Sequence, residues 1–428
     1  VTALASTVAS PAFEGFQRAF ESLPLAGGPV ATLRSQAFQR AVEQGLPTQR
    51  DERWKYTNLK RLETRSFELA QAPKALAVDS LEVSVPNIGP RLVMVDGIIS
   101  PALSNATASP GVSIESLNEK AFELPAQGTT FEFLNAALAT NGWVIEIKPD
   151  AKLECLHIVH LWTSTSNRVM SHPRLYVHAL SGSRFSIVEQ YVGQGEGEVL
   201  TNPVTLLKLD AGARGTYVRL QQDGARAFHI GAVRATLARD SQLSISDIGL
   251  GANIGRLDLH ANLEGEGASV QLNGLFYPDG TQHLDSHTRV EHNAPRTESD
   301  ENYRGIASGR GRGVFNGKVV VAPHAQKTSA RQSNRNLLLS PQAEIDTKPE
   351  LEIYANDVKC SHGATTGQLD AQQLFYLRSR GLSLDDGRAL LTRAFAESIL
   401  NAIDIEPLRA HVEHAIRTKM STAMSISV

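Results

Sequence analysis

The chain is poor in the residues that usually announce a chemistry. It has two cysteines in 428 residues, Cys155 and Cys360. Two thiols do not staple a secreted fold, nor do they fill the roughly four ligand positions of an all-cysteine metal cluster. Their scarcity fits a reducing compartment, and a cytoplasmic location is the expectation. Basic excess is also missing. Lys and Arg number 42 against 45 Asp and Glu, for a formal net charge of −3, which leaves no footprint for nucleic acid or an anionic membrane surface. No apolar run reaches the ~18 residues of a membrane span. The Gly-x-Ser-x-Gly elbow, zinc-finger spacing and the dinucleotide fingerprint are all absent.

Apolar periodicity is present, and it changes along the chain. Near the start, Phe13, Phe16, Phe20 and Leu23 recur at helical spacing after Ser10-Pro11, a helix-start signal. Leu33, Phe38, Ala41, Val42 and Leu46 mark a second helix, stopped near Gly45. From about Leu92 to His362 the pattern is short alternating runs such as Leu243-Ser244-Ile245-Ser246-Asp247-Ile248, with turn signals at Asp223-Gly224, Gly265-Glu266-Gly267 and Asp279-Gly280. Alternation of this kind predicts strands; one helix is predicted near Phe131 to Thr140. A β-block of this length is either a sandwich or a β-solenoid, and the turn spacing is too irregular to decide. Helical spacing returns at the end. Gly381 can terminate one helix, Ser383 can cap a second with the stripe Leu390, Leu391, Ala394, Phe395, Ser398 and Ile399, and Pro407 can open a third. The expected division is 1–90, 91–365 and 366–428.

Cys360-Ser361-His362 follows the β-like run Leu351-Glu352-Ile353-Tyr354. On a strand Cys360 and His362 share a face. Thiolate plus imidazole suits soft metals, but two ligands make only part of a site; the bland alternative is a buried face with Cys360 as a small hydrophobe. His283, Asp285 and His287 also alternate, which resembles a two-His-one-carboxylate set or else the polar face of a strand. They support a rival reading, a metal-dependent enzyme on a β-solenoid core. Gly309-Arg310-Gly311-Arg312-Gly313 lacks the ending of a phosphate loop and reads as a tight turn. Asn316-Gly317 reads as a hairpin turn. Arg53-Trp54-Lys55-Tyr56-Thr57 is an aromatic-basic run.

Four segments together resemble the signature of the SufB/SufD family, the scaffold subunits of the Suf iron–sulfur cluster assembly system. They are Asn336-Leu337-Leu338-Leu339-Ser340, the run from Ala343 to Ile353, Val358-Lys359-Cys360-Ser361-His362-Gly363-Ala364, and Leu374-Phe375-Tyr376-Leu377-Arg378-Ser379-Arg380-Gly381. The cysteine count and the Arg53 to Thr57 element resemble the SufD branch more than SufB. The resemblance implies a right-handed parallel β-helix core flanked by N-terminal and C-terminal helical regions, in a non-enzymatic scaffold subunit. It implies a SufB-like partner and a SufC-like ABC ATPase docked on the C-terminal helices around Leu374, Phe375, Tyr376, Arg378 and Arg380; a separate alternative is a self-pairing form in which the chain replaces SufB in a homodimer. No cofactor is implied as stably bound. His362 and Cys360 are placed at the SufB interface, as candidate ligands of transient iron or of a nascent cluster shared with SufB.

Overall fold

The computed structural model describes residues 10–24, 27–70, 84–86, 88–163, 167–195 and 197–425. Its centre is a parallel β-solenoid built from a ten-stranded and a twelve-stranded sheet. One sheet stacks Lys152–Trp162, Arg184–Gly193, Arg214–Gln222, Gln242–Gly249, Ser269–Phe276, Glu298–Ala307, Ser329–Leu338 and Lys359–Gly367. The other stacks Arg174–Ala179, Val204–Leu209, Phe228–Leu237, Ile254–Leu263, His283–His292, Arg312–Val321 and Glu344–Ile353. The chain alternates between the sheets, so consecutive strands of one sheet pair in parallel and in step. Arg219 lies opposite Asp247, Glu301 opposite Gln332, and Gln332 opposite His362. Side chains 28 to 31 residues apart in sequence therefore touch.

Alternation decides what lies between the sheets. Leu243, Ile245, Val270, Leu272, Leu257, Leu259 and Phe315 point inward and form one continuous core. This settles sandwich against solenoid. Turn spacing could not, because coils that differ by a few residues still stack when the irregularity is confined to the corners. One corner is the predicted Gly309 to Gly313 turn. Gly309 has φ +59°, and Gly311 donates to the Ser308 carbonyl at 2.9 Å.

Asn316-Gly317 is not a turn. Both residues lie inside the strand Arg312–Val321. Gly317 faces inward, and a Cβ there would stand 2.3 Å from Gln332 Nε2 and 2.7 Å from the Phe315 ring. The glycine makes room for a side chain rather than for a reversal of the chain.

The helical regions cover the two outer faces. At the N-terminal side α1 (Pro11–Ser22) is capped by Ser10, which accepts from the Phe13 amide at 3.3 Å. It packs with α2 (Pro29–Gln44), α3 (Lys60–Glu63) and α4 (Thr130–Leu138) over Met170, Phe228, Ile230 and Ile254. At the C-terminal side α5 (Ala371–Ser379) ends where Gly381 adopts φ +96°. Ser383 caps α6 (Leu384–Leu400), and α7 (Glu406–Ser425) follows. Together α6 and α7 bury Ala396, Ile399, Leu408 and Val412 against Val218, Ile248, Leu275 and Ile306 of the opposite sheet. The buried face of α6 is not quite the predicted stripe. Thr392, Ala396, Ile399 and Leu400 go in, whereas Leu390 stays 45% exposed. Among the described residues no helix is long and apolar enough to cross a membrane.

Candidate functional site

The last strand, Lys359–Gly367, carries Cys360 and His362 and bonds on one side only, to Ser329–Leu338. Glu344–Ile353 is likewise last in its sheet. Among the described residues the solenoid thus ends in two strand edges with no further strand paired to them, a template for further strands. Cys360 and His362 share a face, as predicted, and it is the inward one. They continue the columns of Ala330 and Gln332, both buried. Cys360 packs at the rim of the inner core and is half-buried, and burial pushes its thiol up. His362 is exposed. Of the two readings of Cys360, its place at the rim of the inner core bears out packing.

Beneath His362 the interior turns polar. Gln332 Nε2 donates to Glu301 at 2.6 Å, and Thr288 Oγ1 donates to the same carboxylate at 3.1 Å. Glu301 is fully buried, and burial with no cation beside it raises its carboxyl to about 7. Among the described residues Glu301 Oε1, Gln332 Oε1 and Asn336 Oδ1 have no hydrogen-bond partner. Sequence reading missed this column. Glu301 and Gln332 carry no motif, and only the strand register places them under His362.

His283, Asp285 and His287 also share a face, the outer one, but they do not form an open metal set. Asp285 binds Arg256 Nη1 at 2.5 Å, the Thr57 hydroxyl at 2.5 Å and His287 at 3.0 Å, while His283 meets the same hydroxyl at 2.8 Å. Arg256 is itself stacked 3.8 Å from the Trp54 ring. The carboxylate serves an ion-pair network that fixes the Arg53 to Thr57 run onto the solenoid. Among the described residues no group of three His, Cys, Asp or Glu is arranged to hold a metal ion. The metal-enzyme reading has no support in the fold.

On α5 the predicted docking residues divide. Leu374 and Leu377 turn toward α6, where Gly387 lets the helices close up; a Cβ there would meet Leu374 Cδ1 at 2.9 Å. Phe375 and Tyr376 are 74% and 57% exposed, Arg378 and Arg380 are exposed, and no residue of α5 is buried. Phe375 and Tyr376 thus put two adjacent aromatic rings in water.

The class is that of a parallel β-solenoid whose last strand carries a thiol and an imidazole and whose following helix exposes two aromatic rings. Comparison with known sequences places it. The family model described as "SUF system FeS cluster assembly, SufBD core domain" matches residues 161–395, and the "SufBD protein N-terminal region" matches residues 26–155. The iron–sulfur cluster assembly protein SufD of Escherichia coli is 32% identical over 94% of this chain and 95% of its own length. A SufBD family protein of Synechocystis is 32% identical over 87% of both chains. The chloroplastic protein ABCI7 of Arabidopsis thaliana is 26% identical over 94% of this chain and 89% of its own. The chain belongs to the SufB/SufD family and is SufD-like.

Proposed function

We propose that the chain is a non-enzymatic subunit of a Suf complex in the cytoplasm, and that its open solenoid end pairs with the matching end of a SufB-like subunit. His362, with Cys360 beside it, then contributes to the site where iron and sulfur are first joined into a cluster. The cluster is cargo, held briefly and shared with the partner. A SufC-like ATPase docks on the face of α5 that shows Phe375, Tyr376, Arg378 and Arg380, and its movement is relayed through α6 to the solenoid. When the SufB-like chain is absent, the same edges allow a homodimer.

The observation that carries this reading is the last strand, which is unpaired along one edge and holds a thiol and an imidazole on one face. Burial pushes the Cys360 thiol up, so ligation by sulfur requires loss of a proton, and the imidazole of His362 is exposed beside it. The test is His362→Ala in the reconstituted complex, with cluster formation followed by visible absorbance and iron content. The expected outcome is intact assembly with cluster yield reduced roughly tenfold or more. Unchanged yield removes His362 from the site. Co-purification of untagged chains with the tagged protein tests the partners.

A further inference from the structure

Two segments that stand apart in the sequence line one cleft, which includes neither Cys360 nor His362. The aromatic-basic run and its continuation bring Tyr56, Lys60, Arg61 and Arg65; the Gly-Arg-Gly-Arg-Gly turn brings Arg310 and Arg312. The cavity between them is about 920 Å³, and no Asp or Glu lines it. Arg65 is paired with Glu198 at 3.0 Å and Arg312 with Glu344 at 3.1 Å. Among the described residues Lys60, Arg61 and Arg310 have no carboxylate partner. Arg61 is held to the wall by Asn253 at 2.9 Å. The turn presenting Arg310 is fixed by its own amide, which donates to Gly280 at 2.8 Å.

We propose that this cleft binds a small polyanion, a molecule carrying a di- or triphosphate group. Three unpaired cations around one space repel each other, and an anion with several charges relieves that repulsion. Guanidinium forks match phosphate oxygens two at a time. The cavity is the size that small-molecule ligands occupy. A nucleic-acid backbone fits less well, because the chain as a whole carries a net charge of −3. The Tyr56 ring at the wall offers a flat surface to any aromatic group attached to the phosphates.

Calorimetric titration of the purified full chain with inorganic pyrophosphate at low ionic strength tests the proposal. One site is expected, with affinity falling as salt rises. The exposed Lys60→Gln and Arg310→Gln changes should each weaken binding roughly tenfold, and Arg310→Lys should retain part of it. Circular dichroism and Tm establish that the variants remain folded. Absence of saturable binding at millimolar pyrophosphate overturns the proposal, as does binding that the Lys60→Gln/Arg310→Gln double variant leaves unchanged. Binding of duplex DNA or polyglutamate without pyrophosphate binding also overturns it and assigns the cleft to a macromolecule. The His362→Ala variant should bind pyrophosphate normally, so this result stands or falls separately from the assembly role.

Discussion

The interior of the solenoid holds two polar ladders, and they are built on opposite terms. In the earlier coils Glu189, Arg219 and Asp247 occupy successive rungs of one column. Burial pushes the Glu189 carboxyl up, but His160 at 2.9 Å and the Tyr217 hydroxyl at 2.5 Å outweigh it and hold the group at about 2. Arg219 reaches Asp247 at 2.6 Å. Each charge in this ladder has its opposite. In the last coils the neighbouring column holds Glu301, Gln332 and His362, and no cation faces Glu301. Both ladders are equally dry at the carboxylate, so the difference is one of compensation and not of burial. The compensated ladder fixes the register of finished coils. The uncompensated one sits beneath the open edge of the last strand, where Glu301 Oε1 has no hydrogen-bond partner among the described residues.

The largest effect should come from breaking the compensated ladder. Arg219→Leu leaves the buried Asp247 without its cation, and stranding one partner of a buried ion pair costs about 3–5 kcal/mol. Denaturant unfolding should show a midpoint lowered accordingly. A loss below about 1 kcal/mol would mean that the ladder is not a structural brace. The uncompensated ladder should respond to pH instead. The folded-state carboxyl of Glu301 lies near 7, above the ~4.3 of an unfolded Glu. Its contribution is therefore full below about pH 4.3, falls as pH climbs through about 7, and is level beyond that. Glu301→Gln should remove this slope, leaving stability near pH 4 little changed and raising it at pH 8 by something of the order of 3 kcal/mol. Tm measured against pH for both proteins gives the answer; parallel curves would show that Glu301 ionises normally in the fold.

The contrast was only partly legible in the sequence. Alternation gave the strands, and capping residues gave the helix starts at Ser10 and Ser383, because both signals are local. The parity of Cys360 and His362 was legible for the same reason. What joins coils was not, since it depends on the register between residues about 30 apart, and a shift of one residue would have turned Glu301 outward. Asn316-Gly317 shows the limit most clearly. The dipeptide favours a turn, yet inside a solenoid the missing Cβ of Gly317 is what admits Gln332. His283, Asp285 and His287 show the reverse case: their shared face was read correctly, but the role of Asp285 depends on Arg256 and Thr57, which no spacing could supply.

Gly317 also offers the finest test of the uncompensated ladder, because it alters geometry without altering charge. In Gly317→Ala the new methyl would overlap Gln332 Nε2, the atom that donates to Glu301. The side chain must swing away, and overpacking of this kind costs about 1–3 kcal/mol. Unlike Glu301→Gln, this variant should keep the pH slope, since the carboxyl stays buried and loses a donor that had favoured its charged form. Gln332→Ala on the Gly317→Ala background removes the overlap with Gln332 and leaves the one with the Phe315 ring, so the double variant should be more stable than the two separate losses predict. Unfolding of the four proteins in the cycle measures the coupling. Additive losses would mean that Gln332 does not rest on Gly317, and that the column under His362 is held from somewhere else.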